Sequence, residues 1–473
     1  MSLRAILREI DRVLFFGAIR NTRDLAQAGL GALKRGLRLV LIYVVLPPLF
    51  LAALYLLKKL APGRAVSRAS RDRKPRLVWG CNPLANYKFA SRAMAAKGYE
   101  AKTFVGNFYE RIAFKEDYDL YRYELFDVYR RLPRGLVELV EPYLSFIYLI
   151  FRFDIFHFAY EGGILAATPL RFQEIQLLHM FGKKVIVAPY GGDAHVLQLM
   201  RNTEYKFGQL YHYKHNSVFN ILRIRRWIDY FSTHADFCIG SIYFDAIYRY
   251  DILPVNYIGI DCDEWRPPEG FECRNNGRDG PVSVVHTPNH RMIKGTEYIV
   301  AAVERLKREG YQIDLRLLEG LKNAELKRIL GESDILVELL ISGYGLSGLE
   351  GMALGKPVIS NFQTETAVLR HYSYLNECPI VQANPDNIYE KLKELVESPS
   401  RRRELGEASR RYALKFHSLL SQQIMWEQIY RQIWYGEPVD LMLLYHPLLG
   451  SYAALYEQAL AGHSAGSACK TVN

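Results

Sequence analysis

One stretch, residues 335–361, constrains the fold more than any other part of the 473-residue chain. Its sequence is ILVELLISGYGLSGLEGMALGKPVISN. The apolar run Ile335–Val337 predicts a strand, glycines mark a turn, and Gly355, Lys356 and Pro357 end a short helix before the strand Val358–Ser360. A strand, turn, helix and second strand within so short a run predict a βαβ unit with a compact crossover, and therefore an α/β fold.

The turn in this unit has the chemistry of an anion-binding loop. Ser347 and Glu350 stand in the S-x-x-E spacing of a capping box, so we expect the helix to begin at Ser347 with free backbone N–H groups facing the turn. Such a helix end binds phosphate. The same turn matches the G-x-G-x-x-G dinucleotide fingerprint, with Glu365 as the candidate ribose ligand. That fingerprint normally opens its domain and begins a long helix, so NAD binding stays an alternative.

Charge is distributed very unevenly along the chain. With 49% hydrophobic and 23% charged residues it can bury full cores, and its length indicates two to three domains. Residues 1–76 carry 16 Lys+Arg against 4 Asp+Glu, and the remainder carries 45 against 46. A nucleic-acid enzyme would spread basic residues over its binding face, so we expect a membrane surface with anionic lipids as partner and no nucleic acid. The six cysteines form no C-x-x-C pair, which predicts a reducing cytoplasm and no zinc site.

The basic N-terminal segment contains an uncharged run, residues 39–57, that is just long enough to span a bilayer. Pro47 and Pro48 at its centre are expected to break a helix, and basic clusters on both sides give no clear orientation. We therefore expect a re-entrant segment that leaves Met1 and the enzyme in the cytoplasm. Residues 3–14 have the spacing of an amphipathic helix that could lie on the same surface. The alternative is a soluble helical hairpin packed on the enzyme.

From residue 76 onward strands and helices alternate, and two prolines at 267–268 begin a polar linker. Strands are predicted at 76–79, 154–158, 183–188, 234–239, 258–265 and 282–286. Helices are predicted at 85–97, 297–309, 384–398, 399–416, 418–434 and 441–461, and residues 107–153 also look helical. The predicted segments are an anchor at 1–76, Rossmann-like domains at 77–268 and 279–416, crossover and terminal helices at 417–462, and a disordered tail at 463–473.

The second half of the opening stretch, LEGMALGKPVIS, resembles the L-E-A-M-A-x-G-K-P-V segment of the family-4 glycosyltransferases. The resemblance extends in order over residues 77–435. It implies the GT-B architecture, two Rossmann-like domains facing across a cleft, joined here to an N-terminal membrane-associated helical segment. It also implies a nucleotide-sugar as substrate, no separate cofactor, and retention of anomeric configuration.

The resemblance assigns donor contacts to the turn. The family loop E-G-F-G-L matches this sequence except at its glutamate, the first of a Glu-x7-Glu pair, where Ser342 stands. Glu350 is the second of that pair, and the resemblance implies that it holds the ribose hydroxyls. The donor-binding residues implied in the turn are Ser342, Gly343, Tyr344, Gly345, Leu346 and Ser347.

The strand Val282–His286 resembles the first strand of the family's C-terminal domain, where a loop cation and the lysine of K-G neutralise the donor pyrophosphate. Lys294 matches that lysine. Asn289 occupies the usual arginine position, which leaves His290 or Arg291 as the second cation.

Three segments of the N-terminal half resemble family segments that line the cleft. His157 matches the first histidine of a D-V-V-H-x-H strand, and Asp193 matches the aspartate of H-G-S-D-x-R, which implies catalytic roles for both. Gly80 and Asn82 follow the first strand, where the family places a loop between acceptor and donor phosphates. The alternative for each of these residues is a structural role.

A leaving nucleoside diphosphate gains negative charge in the transition state. Because no Asp-x-Asp metal motif lies in a suitable loop, fixed cations and a helix N-terminus must stabilise that charge, which predicts metal independence. The expected acceptor is a lipid-linked saccharide or growing glycan at the cytoplasmic face of the cell membrane. Three alternatives stay open: an NAD-dependent enzyme, a GT-B nucleotide-sugar epimerase, and a catalytically degenerate partner subunit of a polysaccharide assembly.

Overall fold

The computed structural model describes residues 36–61, 67, 73–108, 114–203, 206, 207, 209, 218–240, 244–253, 257–270, 272–321, 323–341, 343–361 and 377–468. Ser342, Glu365 and the predicted amphipathic helix at 3–14 lie outside these residues.

The N-terminal half forms one parallel sheet in the order β3-β2-β1-β4-β5-β6. Its strands are β1 Leu77–Cys81, β2 Ala101–Val105, β3 Leu120–Tyr121, β4 Ile155–Phe158, β5 Lys184–Val187 and β6 Phe237–Cys238. The central strands β1 and β4 are buried at every position, as expected for parallel strands covered on both faces.

The C-terminal half forms a second parallel sheet in the order β11-β10-β9-β7-β8. Its strands are β7 Val282–His286, β8 Ile313–Leu317, β9 Ile335–Val337, β10 Val358–Ser360 and β11 Val381–Gln382. Two parallel sheets, each within one half of the chain, confirm the predicted α/β fold with two Rossmann-like units, the arrangement of the GT-B architecture.

Helices cover both sheets. In the N-terminal half they are α1 Gly36–Leu60, α2 Ala85–Ala96, α3 Arg134–Arg152, α4 Glu174–Met180 and α5 Val218–His234. In the C-terminal half they are α6 Arg291–Lys294, α7 Thr296–Arg308, α8 Asn323–Gly331, α9 Leu346–Ala353, α10 Ile388–Glu397, α11 Pro399–His417, α12 Leu419–Ile433 and α13 Tyr452–Ala468.

The helix α12 crosses back to the first domain, as predicted for residues 418–434. In α12 the amide of Gln423 donates to the carbonyl oxygen of Ala93 in α2 at 3.0 Å. The tryptophan ring of Trp426 meets the ring of Trp79 in β1 edge to face, with centroids 5.8 Å apart. The C-terminal part of the chain therefore completes the core beneath the N-terminal sheet.

Several predicted elements differ from the structure. Residues 258–265 form turns rather than a strand, and they pack beneath the C-terminal helices. Within 107–153 only α3 is a long helix, preceded by short 3-10 turns and β3. The helix predicted at 441–461 begins only at Tyr452, and it continues to Ala468 into the predicted tail.

The predicted helix break at Pro47 and Pro48 is wrong. Residues 36–60 form one helical run, with a π-helical turn at Leu41–Val45 directly before the prolines. A π turn shifts the hydrogen-bond partners of the backbone, which accommodates residues that lack an N–H. By length and composition α1 is long and apolar enough to cross a membrane, and 17% of its most apolar window is buried.

Candidate functional site

Each sheet has a point where the strand order reverses, and open α/β sheets bind ligands outside the carboxyl ends of the strands at that point. In the C-terminal sheet β7 lies between β8 and β9, so the loops that follow β7 and β9 diverge. The first loop leads to Lys294, and the second contains Glu338 and the glycine turn. These are the loops in which the sequence predicts the donor site.

Lys294 lies in an ion pair that the sequence did not predict. Its ammonium Nζ is 2.5 Å from Oε1 of Glu338, whose side chain is fully buried, and 3.3 Å from Oγ of Ser347. The hydroxyl of Ser347 donates to the same carboxylate oxygen at 2.8 Å. Glu338 directly follows β9 outside the matched motif, so a lone carboxylate at a strand end was its only signal in the sequence.

The predicted capping box at Ser347 and Glu350 is wrong. The helix α9 begins one residue earlier, Gly345 is its N-cap, and no side chain caps the first turn. The Ser347 hydroxyl turns to Glu338, because a charged acceptor makes a stronger hydrogen bond than a backbone group does. The second carboxylate oxygen of Glu338 also accepts from the Gly345 backbone N–H at 3.4 Å, so this carboxylate lies at the start of α9. Anion binding by the N–H groups of the first turn stays a prediction.

Glu350 lies beneath this helix start and is only 4% exposed. Burial raises the pKa of its carboxyl from 4.5 to about 8, opposed by the charge of Lys294 and reinforced by the charge of Glu338. Within the described residues no hydrogen bond engages the Glu350 side chain. The Glu350 carboxyl lies near Lys294 and keeps its hydrogen-bonding capacity unused among the described residues. Both features suit the ribose-binding role that the resemblance implies.

The turn residues divide between ligand side and core. Tyr344, a predicted donor contact, turns inward, with its hydroxyl 3.1 Å from Nε2 of His417. Leu346 packs against the same core. Gly343 has a φ of 66°, a conformation that favours glycine, and its carbonyl accepts from the Ser360 hydroxyl at 2.5 Å. We therefore correct the assignments of Tyr344 and Leu346 from side-chain donor contacts to supports of the turn, while Gly345 remains at the helix start.

The second predicted cation, Arg291, is engaged by two exposed carboxylates. Arg291 pairs with Glu297 and Glu319, and hydrogen bonds to these two carboxylates raise the pKa of its guanidinium. Lys294 is the cation that the structure brings to the helix start. His290 is the half-buried N-cap residue of α6, directly before Arg291.

A histidine that was not predicted fixes this geometry. His286 at the end of β7 is fully buried, with Nδ1 2.7 Å from the Val337 carbonyl of β9 and Nε2 2.9 Å from the Thr296 hydroxyl. Since a carbonyl only accepts, Nδ1 carries the proton and Nε2 accepts from Thr296. His286 thereby joins both strands of the switch point to the residue that opens α7, two positions after Lys294.

The N-terminal sheet has its own crevice between β1 and β4. A cavity of about 490 Å³ lies outside the carboxyl ends of its strands, and all its lining residues come from the N-terminal half. The Asn82 amide donates to Oε1 of Glu161 at 2.5 Å on its wall. Gly80 lies deeper in β1, where a β-carbon would stand 2.5 Å from the Phe104 carbonyl oxygen, so its small size serves the sheet. Among these two predicted residues only Asn82 lines the cavity.

Asp193 lines the cavity but its carboxylate is already occupied. Backbone N–H groups of Tyr160, Tyr190 and Gly191 donate to it at 3.0, 3.0 and 2.8 Å. Burial raises the pKa of Asp193 to about 7, opposed by these three hydrogen bonds. Asp193 therefore fixes two loops of the cavity wall, and its catalytic role stays a prediction.

The structure contradicts the predicted catalytic role of His157. Its ring is buried and stacked on Trp79 at 4.1 Å. Nδ1 is 2.9 Å from the Val78 carbonyl and Nε2 is 2.9 Å from the Tyr430 hydroxyl, so neither nitrogen is available to a substrate. Burial lowers the pKa of His157 to about 3, so the ring is neutral and joins β1 and β4 to α12.

No family model and no curated protein sequence matches the chain. Among solved structures, it is similar to sucrose-phosphate synthase of Thermosynechococcus elongatus, at 13% identity and a TM-score of 0.48 over 77% of this chain and 100% of that one. It is similar to HepE of Anabaena in complex with UDP-glucose, at 11% identity and a TM-score of 0.46 over 75% and 99%. It is also similar to MnaA of S. aureus with UDP, at 14% identity and a TM-score of 0.40 over 77% and 97%.

Proposed function

We propose that this chain is a GT-B glycosyltransferase that moves a sugar from a nucleotide-sugar to a lipid-linked saccharide or growing glycan. The observation that carries the proposal is the donor crevice. Lys294, the open first turn of α9 and the buried carboxyl of Glu350 meet where the strand order of the C-terminal sheet reverses.

The three groups suit the two ends of a nucleoside diphosphate. An ammonium and a helix N-terminus stabilise the charge that develops on a leaving diphosphate, and a carboxylate accepts hydrogen bonds from ribose hydroxyls. Glu338 pairs with Lys294 at 2.5 Å. A bound diphosphate would share this ammonium with Glu338, and the carboxylate would keep Nζ aimed at the helix start.

The cavity of the N-terminal half is the proposed acceptor site. Its volume of about 490 Å³ falls within the range of small-molecule sites. Its wall combines hydrogen-bonding groups such as Asn82 and Glu161 with aromatic rings such as Tyr123 and Trp227. Such a mixture binds saccharides, which present hydroxyl groups on their edges and apolar C–H groups on their faces.

Retention of configuration, metal independence and a location at the cytoplasmic side of the cell membrane belong to the proposal. Retention rests on the family resemblance alone. Metal independence rests on Lys294 and the open helix end, which supply positive charge without a cation. The proposed membrane location is supported by the basic, apolar N-terminal segment. The proposed cytoplasmic side is supported by the fact that nucleotide-sugars are made in the cytoplasm.

The test is a donor screen with the purified full-length chain and a membrane-lipid extract as acceptor source. Nucleoside diphosphate release is followed for UDP-, GDP- and ADP-linked sugars, with and without excess chelator. We expect one donor to release its diphosphate in the presence of chelator and to label a lipid-extractable product.

Other products would identify the alternatives. A free epimerised nucleotide-sugar without diphosphate release would establish an epimerase. A thermal shift with NAD but with none of the donors would establish a dinucleotide enzyme. Absence of turnover and of donor binding would favour a degenerate partner subunit and would overturn the proposal.

A further inference from the structure

The apolar helix α1 is docked on the N-terminal domain along its middle. Pro47, Phe50 and Leu54 form its buried stripe, and the Phe50 ring contacts Tyr143 and Phe146 of α3 with centroids 4.9 and 5.5 Å apart. Phe50 and Leu54 belong to the same core cluster as residues of the β-sheet. The helix is therefore a structural part of the domain rather than a separate tether.

The opposite side of α1 is apolar and uncovered by any described residue. Its large exposed side chains include Leu37, Val40, Val44, Leu51, Tyr55 and Leu60. Leu136 and Leu144 on α3 are exposed as well and extend the apolar surface onto the domain. An exposed apolar surface of this extent on one side of a domain marks an interaction site.

We infer that this surface, α1 with the exposed leucines of α3, lies within one leaflet of an anionic lipid bilayer, with α1 parallel to the membrane plane instead of crossing it. A crossing helix would place its middle at the bilayer centre. The middle of α1 is the part bound to α3, and α3 carries Glu138, Glu141 and Arg152 and covers a hydrogen-bonded sheet. Bringing these groups to the bilayer centre would cost far more than lying in the interface.

The positive charge around this apolar surface favours an anionic lipid bilayer over a second copy of the chain as its binding partner. Arg38, Lys58 and Lys59 flank the apolar surface and are exposed. All of the positive excess of the chain lies in residues 1–76. Two such surfaces would repel each other, whereas anionic headgroups attract lysine and arginine at the rim of a surface-bound helix.

The same surface adjoins the proposed acceptor cavity. Glu138 accepts from Arg38 of α1 at 3.4 Å and pairs with Arg134 at 3.3 Å, and Arg134 lines the cavity. The carboxylate of Glu138 thus connects the cavity lining directly to α1. Resting on the proposed function, this geometry gives the acceptor class: a molecule held in the leaflet by its lipid, whose polar head enters the cavity without leaving the membrane.

The test uses the full-length chain with Val44→Cys or Tyr55→Cys, each labelled with an environment-sensitive fluorophore. Tyr298→Cys, at an exposed position of α7 in the other domain, is the matched control. The unsubstituted chain, carried through the same labelling, gives the background from its own cysteines. Vesicles of phosphatidylcholine alone are compared with vesicles that also contain phosphatidylglycerol.

We expect blue-shifted emission at positions 44 and 55 only with the anionic vesicles, and no shift at position 298. Quenchers at known lipid depths should place both positions at the same shallow depth. A crossing helix would instead separate them by about 16 Å along the membrane normal, which would overturn the inference. A shift without vesicles would also overturn it: a concentration-dependent one indicates a second copy, and a concentration-independent one indicates coverage by the chain's own first residues.

A substitution separates this inference from the proposed function. Val44→Asp should weaken partitioning into anionic vesicles about tenfold while UDP and GDP binding, measured by calorimetry, stays unchanged. Vesicle binding with no nucleotide binding in the unsubstituted chain would overturn the proposed function and leave the membrane surface standing. If the chain binds nucleotide but Val44→Asp partitions into vesicles like the unsubstituted chain, the membrane surface would be overturned and the proposed function would stand.

Discussion

At Glu350, burial and a neighbouring cation act on one carboxyl group in opposite directions, and burial dominates. Its pKa rises from 4.5 to about 8, so between these values the folded chain holds a proton that the unfolded chain has released. The contribution of Glu350 to the free energy of unfolding therefore falls as pH rises through this interval. A ligand that hydrogen-bonds the carboxylate would offset that cost, as expected of a binding residue.

Replacing this carboxyl should show the effect directly. Relative to the unsubstituted chain, Glu350→Gln should gain on the order of 1–3 kcal/mol in the free energy of unfolding as pH rises across that interval. Urea denaturation at several pH values measures it, with Glu325→Gln on exposed α8 as the control. A difference independent of pH would mean that Glu350 is charged throughout.

The same substitution tests the binding role. Glu350→Gln should bind nucleotide more weakly, by roughly tenfold, because an amide accepts from two ribose hydroxyls less well than a carboxylate does. Calorimetric titration at constant pH measures this. Unchanged affinity in a folded variant would assign Glu350 to the structure of α9 alone.

Individual site residues were predictable where a local sequence motif fixes their position. Lys294 and Glu350 belong to motifs that fix their position, and both reach the crevice. His157 and Tyr344 also match the family pattern, yet their partners Tyr430 and His417 lie on helices that return from far along the chain. Glu338 was missed because nothing in its local pattern shows that Lys294 will lie beside it.

Three described residues between α1 and β1, Ser67, Arg73 and Arg76, join an ionic network around the buried Asp154. Asp154 has no exposed side-chain surface and pairs with Arg73 and Arg76, each at 3.0 Å. The Ser67 hydroxyl donates to Asp154 at 2.5 Å, and the buried ammonium of Lys183 donates to Ser67 at 2.7 Å. Hydrogen bonds from Arg76 and Ser67 hold the pKa of Asp154 well below its usual value, although burial opposes them.

Asp154→Asn should therefore destabilise the chain by about 3–5 kcal/mol, since it leaves the buried Lys183 and the partly buried Arg76 without a counter-charge. Because the pKa of Asp154 is lower in the folded state, its stabilisation is present at neutral pH and lost on acidification below the unfolded pKa. The difference between the variant and the parent should shrink in acid. Thermal unfolding against pH measures it, and Asp314→Asn, at an exposed pair with Arg316, should show little effect.

Elements with strong local patterns were predicted closely, and α1 shows what such patterns miss. Two prolines favour a break when only the local rule is applied. In the structure the π turn before them, and the contacts of Phe50 with α3, keep the helix continuous. Tertiary packing thus overrides a local signal whose physical basis is sound.

At the level of the whole molecule, two switch points in two sheets supply two sites, and α12 joins the halves through contacts such as Gln423 with Ala93. Apolar runs predicted most strands, because buried parallel strands have continuous hydrophobic sequences. The two-residue edge strands β3 and β11 carry too few residues for that signal, whereas β6 lies within the predicted strand 234–239. The lining of the N-terminal cavity, gathered from loops after five strands, has no signal in any single stretch.

If Lys294 and the start of α9 supply the positive charge for the leaving group, turnover should survive excess chelator. Initial rates with and without EDTA measure this, and we expect them to agree within twofold or so. A rate restored only by magnesium or manganese would assign the charge stabilisation to a metal ion instead.

The most direct test of the account is the turnover of Lys294→Ala at saturating nucleotide-sugar. Removing a preorganised charge from the leaving diphosphate should cost about 2–4 kcal/mol of transition-state stabilisation, or roughly 30- to 1,000-fold in rate. Lys307→Ala, an exposed lysine of α7 paired with Glu304, is the matched control and should turn over like the unsubstituted chain. Diphosphate release by Lys294→Ala at the unsubstituted rate would contradict the donor site at this crevice.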